Sequence, residues 1–414
     1  MRRPAPASGA PAAAVTDPRA RRALVALCVT VTTSYGVLFY AFPVLASAIS
    51  ADTGWSLVAV TAVFSGAQVV AGVAGVLVGR WLERAGPRPV MTGAAALAVP
   101  ALVLIAVASE PWLFCAGWLV AGAAMAGLFY PPAFAAITHW FGTGRVRALT
   151  ALTLVAGLAS TIFAPLASAL ESALGWRGAY LVLAAVVAVV VVPAHAFALT
   201  PRWTPPRPGE VAEAAAGPAT LGSVVAGRAF IALTLALTLG SFGVYAVVVN
   251  LVPLLESRGT GTASAAWALG VGGIGQVLGR LVYAPLERWA GPLTRSVVVL
   301  AACAVTTALL AWVAGPVAAL MAVSLLAGMA RGVFTLVQAT AVSDRWGAER
   351  YAALNGLLHV PLMLAVALAP WAGAALAGPL GGYPAMFAVL AAVGALGAVA
   401  ALFSRPPPRG RVPG

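Results

Sequence analysis

The chain of 414 residues contains no lysine, and only 8% of its residues carry a charge. A soluble domain of this length needs a charged shell, and this composition does not supply one. None of the 11 aspartates and glutamates falls in the middle of an apolar run. The three cysteines, Cys28, Cys115 and Cys303, are odd in number and far apart. Each lies in apolar sequence without metal-ligand spacing, so they read as small hydrophobes rather than a redox or disulfide set. No phosphate loop, nucleophile–base pair or metal cluster is visible, which argues against an ATP-driven pump or an enzyme. Neither a cofactor nor a metal is expected.

What the chain has in quantity is apolar sequence: 62% of it is hydrophobic, with mean hydropathy +0.98. Runs of about 20 apolar residues suit helices that cross a hydrocarbon core. Twelve are expected, near 22–49, 56–81, 88–108, 111–138, 146–172, 176–199, 228–256, 262–285, 293–313, 316–343, 350–377 and 382–403. This defines an all-α membrane protein. Residues 1–21 lack the apolar core of a signal peptide and read as a disordered cytoplasmic tail. Residues 200–227, rich in Pro, Glu and Gly, read as a cytoplasmic linker between six-helix bundles at 22–199 and 228–403. Residues 404–414 form a second cytoplasmic tail.

The formal net charge is +13, and all 24 basic residues are arginines. They sit in short gaps between apolar runs, so the positive-inside rule explains them better than nucleic-acid binding. With both termini inside, 20 arginines lie on the cytoplasmic side, Arg177 and Arg258 lie outside, and Arg280 and Arg331 remain within spans. The expected setting is the inner (plasma) membrane, and the expected state is a monomer.

The chain also repeats itself. At an offset of 205, HWFGTGR (139–145) falls on DRWGAER (344–350), and Pro165 falls on Pro370. At 204, LERAG (82–86) falls on LERWA (286–290). Two halves in the same orientation are the layout of parallel-repeat transporters, whose solute site lies at the midplane between them.

The loop Gly79-Arg-Trp-Leu-Glu83-Arg84-Ala-Gly86-Pro-Arg88 resembles the cytoplasmic signature of the major facilitator superfamily, with a degraded copy at Glu287 and Arg288. The resemblance implies the twelve-helix major facilitator fold and a transport function. Within that superfamily, Gly175-Trp176-Arg177 and Tyr130-Pro131 are similar to the oxalate/formate antiporter and monocarboxylate porter group. Helix 5 lacks the Gly-Pro run of proton-driven drug antiporters.

Arg331 is the leading site residue. Its repeat-mate is Ala126, so the shared scaffold does not need the charge. An arginine deep in a span is costly and suits a carboxylate, although bonding to backbone carbonyls would also hold it. Arg280 and His359 are further candidates with apolar repeat-mates. The resemblance associates a helix-8 arginine with the anion, whereas its helix-11 lysine is missing here. Arg280, near one helix end, is expected to be able to snorkel to the surface. Softer candidates are Tyr35, Tyr40, Tyr130, Tyr245, Asn250, Gln338 and Asn355, with Thr33, Ser34 and Gln68 behind them. Each could equally join helices. Gly79, Glu83, Arg84, Gly86, Arg88, Glu287, Arg288, Asp344 and Arg345 are expected to act in gating, the acids and bases pairing at the cytoplasmic face and the glycines allowing close helix approach. The function expected is secondary or facilitative transport of a small organic anion. The alternative is export of a hydrophobic drug or natural product.

Overall fold

The structure is a computed structural model that describes residues 17–204, 221–347 and 351–405. Much of both tails, the centre of the connection between halves, and Glu349 and Arg350 lie outside the described residues. Ten continuous helical stretches are long and apolar enough to cross a membrane. One of them, Pro111–Ala198, runs for 88 residues and holds three spans, which brings the number of spans to twelve.

Helix α1 is Pro18–Thr53. Asp17 caps it by accepting from the Arg19 N–H, and Pro18 sits where a missing N–H costs nothing. The helix therefore starts inside the sequence expected to be tail. Residues Gly36–Tyr40 widen into a π turn. A Cβ at Gly36 would lie 2.1 Å from the Phe163 ring, so the wide turn lets α1 lie on the fifth span. Helix α2 is Leu57–Ala85 and α3 is Pro87–Val107. They meet at Gly86, whose φ of 81° only glycine adopts freely.

Helix α4 comprises Pro111–Leu128 and Tyr130–Phe141, with Phe129 extended between them. Pro131 and Pro132 start the second piece, since prolines lack the N–H that would donate the backbone bonds continuing the first. After a 3-10 turn at Gly142–Gly144, α5 occupies 145–174, with a one-turn irregularity after Ala156. Gly175, at φ 69°, divides it from α6 at 176–198. The second half repeats the order: α7 Arg228–Glu256, α8 Thr262–Trp289, α9 Pro292–Trp312, α10 Val317–Thr340, α11 Tyr351–Ala377 and α12 Tyr383–Leu402. Short helices Leu221–Val225 and Ser343–Trp346 lie outside the spans. The described residues thus form two six-helix halves, all α-helical, as the periodicity predicts.

The ends of the described chain and the connection between halves share one face, here the termini face. The cores show how the halves meet. One large buried cluster takes side chains from both halves, including Phe42, Phe64, Trp118, Tyr180, Leu254 and Phe387. Toward the termini face there are two separate clusters. One is built from C-half residues such as Leu237, Phe334 and Leu358, the other from N-half residues such as Leu27, Ile137 and Leu152. The halves are fused near the opposite face and part toward the termini face. Cross-half hydrogen bonds agree. Ser47 in α1 donates to Glu256 in α7 at 2.7 Å, and Thr161 in α5 donates to the Gly270 carbonyl in α8 at 2.8 Å. The Trp371 N–H in α11 reaches Ser65 in α2 at 3.1 Å. The lowest of the series joins Arg280 in α8 to the Thr153 carbonyl in α5.

Candidate functional site

Two glycine-rich helices position the arginines. An ideal Cβ at Gly275 would lie 2.1 Å from the Leu325 carbonyl oxygen, and one at Gly328 would lie 2.0 Å from that of Gly272. Gly279 meets Met329, and Gly332 meets Gln276, each at 2.1 Å. Only glycine permits this backbone-to-backbone approach of α8 and α10. In register, Arg280 follows Gly279 and Arg331 precedes Gly332. At a rise of about 1.5 Å per residue the two charges stand within about one helical turn in depth.

Neither guanidinium is satisfied. Arg331 has its Nη2 3.5 Å from the Gly272 carbonyl, the outer limit of a hydrogen bond. Its Nε is buried without a partner. Arg280 donates across the seam to Thr153, and its Nε is likewise buried and unpaired. Among the described residues neither arginine makes an ion pair; the pairs present join Arg177 to Asp52, and Arg295 to Glu287 and Asp344. Arg280 does not snorkel as expected. Helix α8 continues to Trp289, nine residues beyond it, and the side chain turns sideways to the partner half.

Arg331 lies on a half-open pocket whose empty space, open solvent included, is about 440 Å³. Every lining residue belongs to α7, α8, α9 or α10. Polar groups come from Ser324, Thr306, Thr307 and Cys303, and the remaining wall is mostly aliphatic, including Val247, Leu251, Leu269 and Leu310. The Ser324 hydroxyl is buried without a partner, whereas Thr306 and Thr307 donate to carbonyls of their own helix. The cavity therefore presents an unspent guanidinium N–H and an unspent hydroxyl against an apolar wall.

The N half faces this with aromatic rings. Tyr35 stacks on Phe129 with centroids 4.0 Å apart and lies 4.8 Å from Tyr130. Tyr35 precedes the π turn of α1 and Tyr40 is its last residue. Phe39, within that turn, packs edge-on against Tyr40 and, across the seam, against Tyr245 at 6.0 Å. Thus Tyr130 packs on Tyr35, while Tyr40 and Tyr245 both pack on Phe39, at successive turns of α1.

Other expected site residues are occupied elsewhere. Asn250 is buried and donates to the Ala246 and Pro370 carbonyls at 2.9 and 3.3 Å, tying α7 to the proline of α11. Gln338 donates to Ser241 at 2.5 Å. His359 Nδ1 bonds the Asn355 carbonyl one turn back at 2.8 Å, and the Asn355 side-chain oxygen is buried without a partner. Thr33 bonds its own helix, Ser34 is buried without a partner, and Gln68 contacts the Met125 sulfur.

The gating residues assemble differently from expectation. Glu83, Arg84 and Arg88 are exposed and make no ion pair among the described residues. Arg88 donates to the Ala196 carbonyl at 2.8 Å. Gly79 allows no close approach, since a Cβ there meets nothing within 4 Å, but one at Gly86 would lie 2.9 Å from Trp203. Trp203 also donates to the Glu83 carbonyl at 3.0 Å and packs at a tilt against the His139 ring, with centroids 4.3 Å apart. In the C half, Glu287 pairs with Arg295 rather than Arg288. Arg295 is 5% exposed and bonds Tyr283 at 3.0 Å, Glu287 at 3.1 Å and Asp344 at 2.8 Å. The sequence reading placed Arg295 among loop arginines and missed it; its position four residues into a proline-started helix was the available signal. Arg345 is held by Ser296, Ser404 and three backbone carbonyls, which makes it a structural tie. Burial lowers its pKa to about 10, with the Asp344 carboxylate opposing, so it stays charged at neutral pH.

Two six-helix halves that are fused at one face, part toward the other and hold charges at mid-depth define a polytopic membrane transporter. The chain belongs to the Major Facilitator Superfamily, whose profile matches residues 27–324. That match ends short of Arg331. Curated relatives include monocarboxylate transporter 11 of Homo sapiens, 32% identical over 293 residues, or 68% of this chain and 59% of the relative. Monocarboxylate transporter 13 of Rattus norvegicus is 29% identical over 303 residues, covering 72% of this chain and 67% of the relative. The chain thus spans well under two thirds of the human relative's length. Among solved structures, a bacterial homologue of the human lysosomal transporter Spinster, inward-facing and unoccupied, superposes with TM-score 0.71 at 15% identity, over 94% of this chain and 95% of that one. The occupied form of that protein gives 0.66 at 16% identity, with the same coverage. These structures bear on the fold alone.

Proposed function

We propose that this transporter carries a small organic anion, monocarboxylate-like, by alternating access between its two halves. The observation that carries the reading is the pair of half-buried guanidiniums, Arg331 and Arg280, each with a buried, unspent Nε–H and no carboxylate partner among the described residues. Two like charges within a turn of each other in an apolar interior repel, and an anion between or beside them relieves that cost. The unpaired Ser324 hydroxyl adds a donor, and the aliphatic wall suits a short hydrocarbon tail. Tyr35, Tyr40 and Tyr130 supply rings and hydroxyls from the N half, and Tyr245 adds one from the C half. The names of the curated relatives support the same class. Arginine placement supports a plasma-membrane protein with both termini cytoplasmic, so the parted side would face the cell interior.

Counterflow in proteoliposomes tests the reading. With a panel of short labelled monocarboxylates, wild-type protein accumulates at least one, and Arg331→Ala and Arg331→Lys both lose most of that uptake. If both variants transport normally, or if only uncharged or cationic solutes are moved, the anion reading is wrong. The second outcome would favour export of a hydrophobic compound, which the tyrosine group would also serve.

A further inference from the structure

At Arg280 the two halves share one backbone carbonyl. The Thr153 carbonyl in α5 accepts from the Gly157 N–H of its own helix at 3.0 Å and from Arg280 Nη1 of α8. A carbonyl oxygen has two lone pairs, so both are then used. Gly157 also sets the spacing of the helices. A Cβ there would lie 3.0 Å from Val277 Cγ2, three residues before Arg280. The missing Cβ lets α8 come close enough for the arginine to reach α5. Toward the fused face, Gly273 packs on Ser160 and Thr161 in the same way, and Thr161 donates to the Gly270 carbonyl at 2.8 Å. The α5–α8 seam is therefore closed from Gly270 down to Arg280. The tie leaves one edge of the guanidinium open. A guanidinium meets a carboxylate either through its two Nη groups or side-on through Nε and Nη2. With Nη1 on Thr153 the first edge is taken. Arg280 Nε is buried without a partner, and Nη2 makes no hydrogen bond among the described residues.

We propose that the anion site is completed across the seam: the Thr153 carbonyl and Gly157 of α5 are positioning elements that hold Arg280 with its Nε–Nη2 edge free for the solute carboxylate. The proposal rests on the anion reading and adds to it that affinity depends on α5 lying against α8. A donor whose direction is already fixed binds more tightly than one that must be ordered by its ligand. When the halves rock and α5 leaves α8, Nη1 loses its acceptor and the side chain is free to turn. Anion affinity then falls, so tight binding belongs to the closed seam and release to the open one. Neither Thr153 nor Gly157 touches the solute; both act through Arg280.

The test alters the fit of Gly157 against Val277 and leaves both arginines in place. Purified full-length protein is titrated with acetate, butyrate and hexanoate by thermal shift, and the acid that stabilises wild type most is carried through the series. Gly157→Val wedges the seam and should need about tenfold more carboxylate for a half-maximal shift. Gly157→Val combined with Val277→Gly exchanges the two side chains, restores the volume at the contact, and should return to within about threefold of wild type. A role in folding alone would not produce that rescue of affinity. If Gly157→Val does not fold, Val277→Leu puts a smaller wedge at the same contact and should weaken binding about threefold. Arg331→Ala separates the two readings. If wild type binds a carboxylate and Arg331→Ala does not, the anion reading stands. Wild-type affinity in the wedged variant, or a double variant as weak as Gly157→Val, then overturns the seam proposal alone. If no carboxylate stabilises wild type, both readings fail.

Discussion

Replacing Gly328 by alanine should damage this protein far more than the same change at Gly356. A Cβ at Gly328 would lie 2.0 Å from the Gly272 carbonyl oxygen, whereas ordinary contact begins at 3.4 Å. The backbones of α8 and α10 must therefore move apart locally by about 1.4 Å, the difference of those two distances. Overpacking of this kind costs about 1–3 kcal/mol. Gly356, in α11, has nothing within 4 Å of its would-be Cβ, so alanine there gains about 0.5–1 kcal/mol from helix propensity alone. The two variants should differ by about 2–4 kcal/mol. The site should register the change too, because Arg331 already reaches Gly272 only at 3.5 Å. Losing that anchor should weaken anion affinity about tenfold, while Gly356→Ala binds as wild type does. Thermal unfolding of detergent-purified protein, with and without a bound carboxylate, reads both effects. If Gly328→Ala is as stable as Gly356→Ala, the backbone-to-backbone packing of α8 on α10 is refuted, and with it the stated placement of both arginines.

Three further outcomes follow from the same geometry. Arg295→Gln should destabilise by about 3 kcal/mol in thermal unfolding, because it strands Asp344; Glu287→Gln, at a side chain that is 50% exposed, should cost less than about 1 kcal/mol. Asn250→Ala should cost about 0.5–1.5 kcal/mol by removing the hydrogen bond that ties α7 to α11, while leaving carboxylate affinity unchanged in a binding titration, since Asn250 is bonded to α11. Trp203→Ala should raise the protease sensitivity of residues 199–204 with little effect on solute affinity, because the indole fixes that stretch to Gly86, Glu83 and His139.

The twelve spans were legible because membrane crossing imposes one demand, apolar length, that composition displays directly. Their ends were less so. Helix α1 begins at Pro18 because Asp17 caps it, and α8 runs on past Arg280 to Trp289; both are local effects that a hydropathy run does not register. Arg331 and Arg280 stood out because charge within apolar sequence is rare. Their directions did not, since whether an arginine snorkels or crosses to a neighbour depends on helix rotation. Arg280 crosses, which the glycines of α8 make possible. The tyrosines were visible as residues, yet the grouping of Tyr35 with Phe129 and Tyr130 depends on the extended break at Phe129 and the π turn at Gly36–Tyr40. Asn250 and Gln338 looked like solute contacts because a polar residue in a span suits either role; only their partners, Pro370 and Ser241, separate the two. Arg295 was hidden by its company, one arginine among many near the termini face, and its burial depends on α9 packing beside Tyr283 and Asp344.

The central claim is that Arg331 and Arg280 together bind the negative charge of the solute. The most direct measurement is thermal stabilisation of purified protein by short monocarboxylates and by their uncharged amides of the same shape. The account predicts that one or more carboxylates raise the unfolding temperature while the matching amides do not. It further predicts that Arg331→Gln needs at least tenfold more carboxylate for the same shift. Equal stabilisation by acid and amide, or an unchanged response in Arg331→Gln, would contradict it.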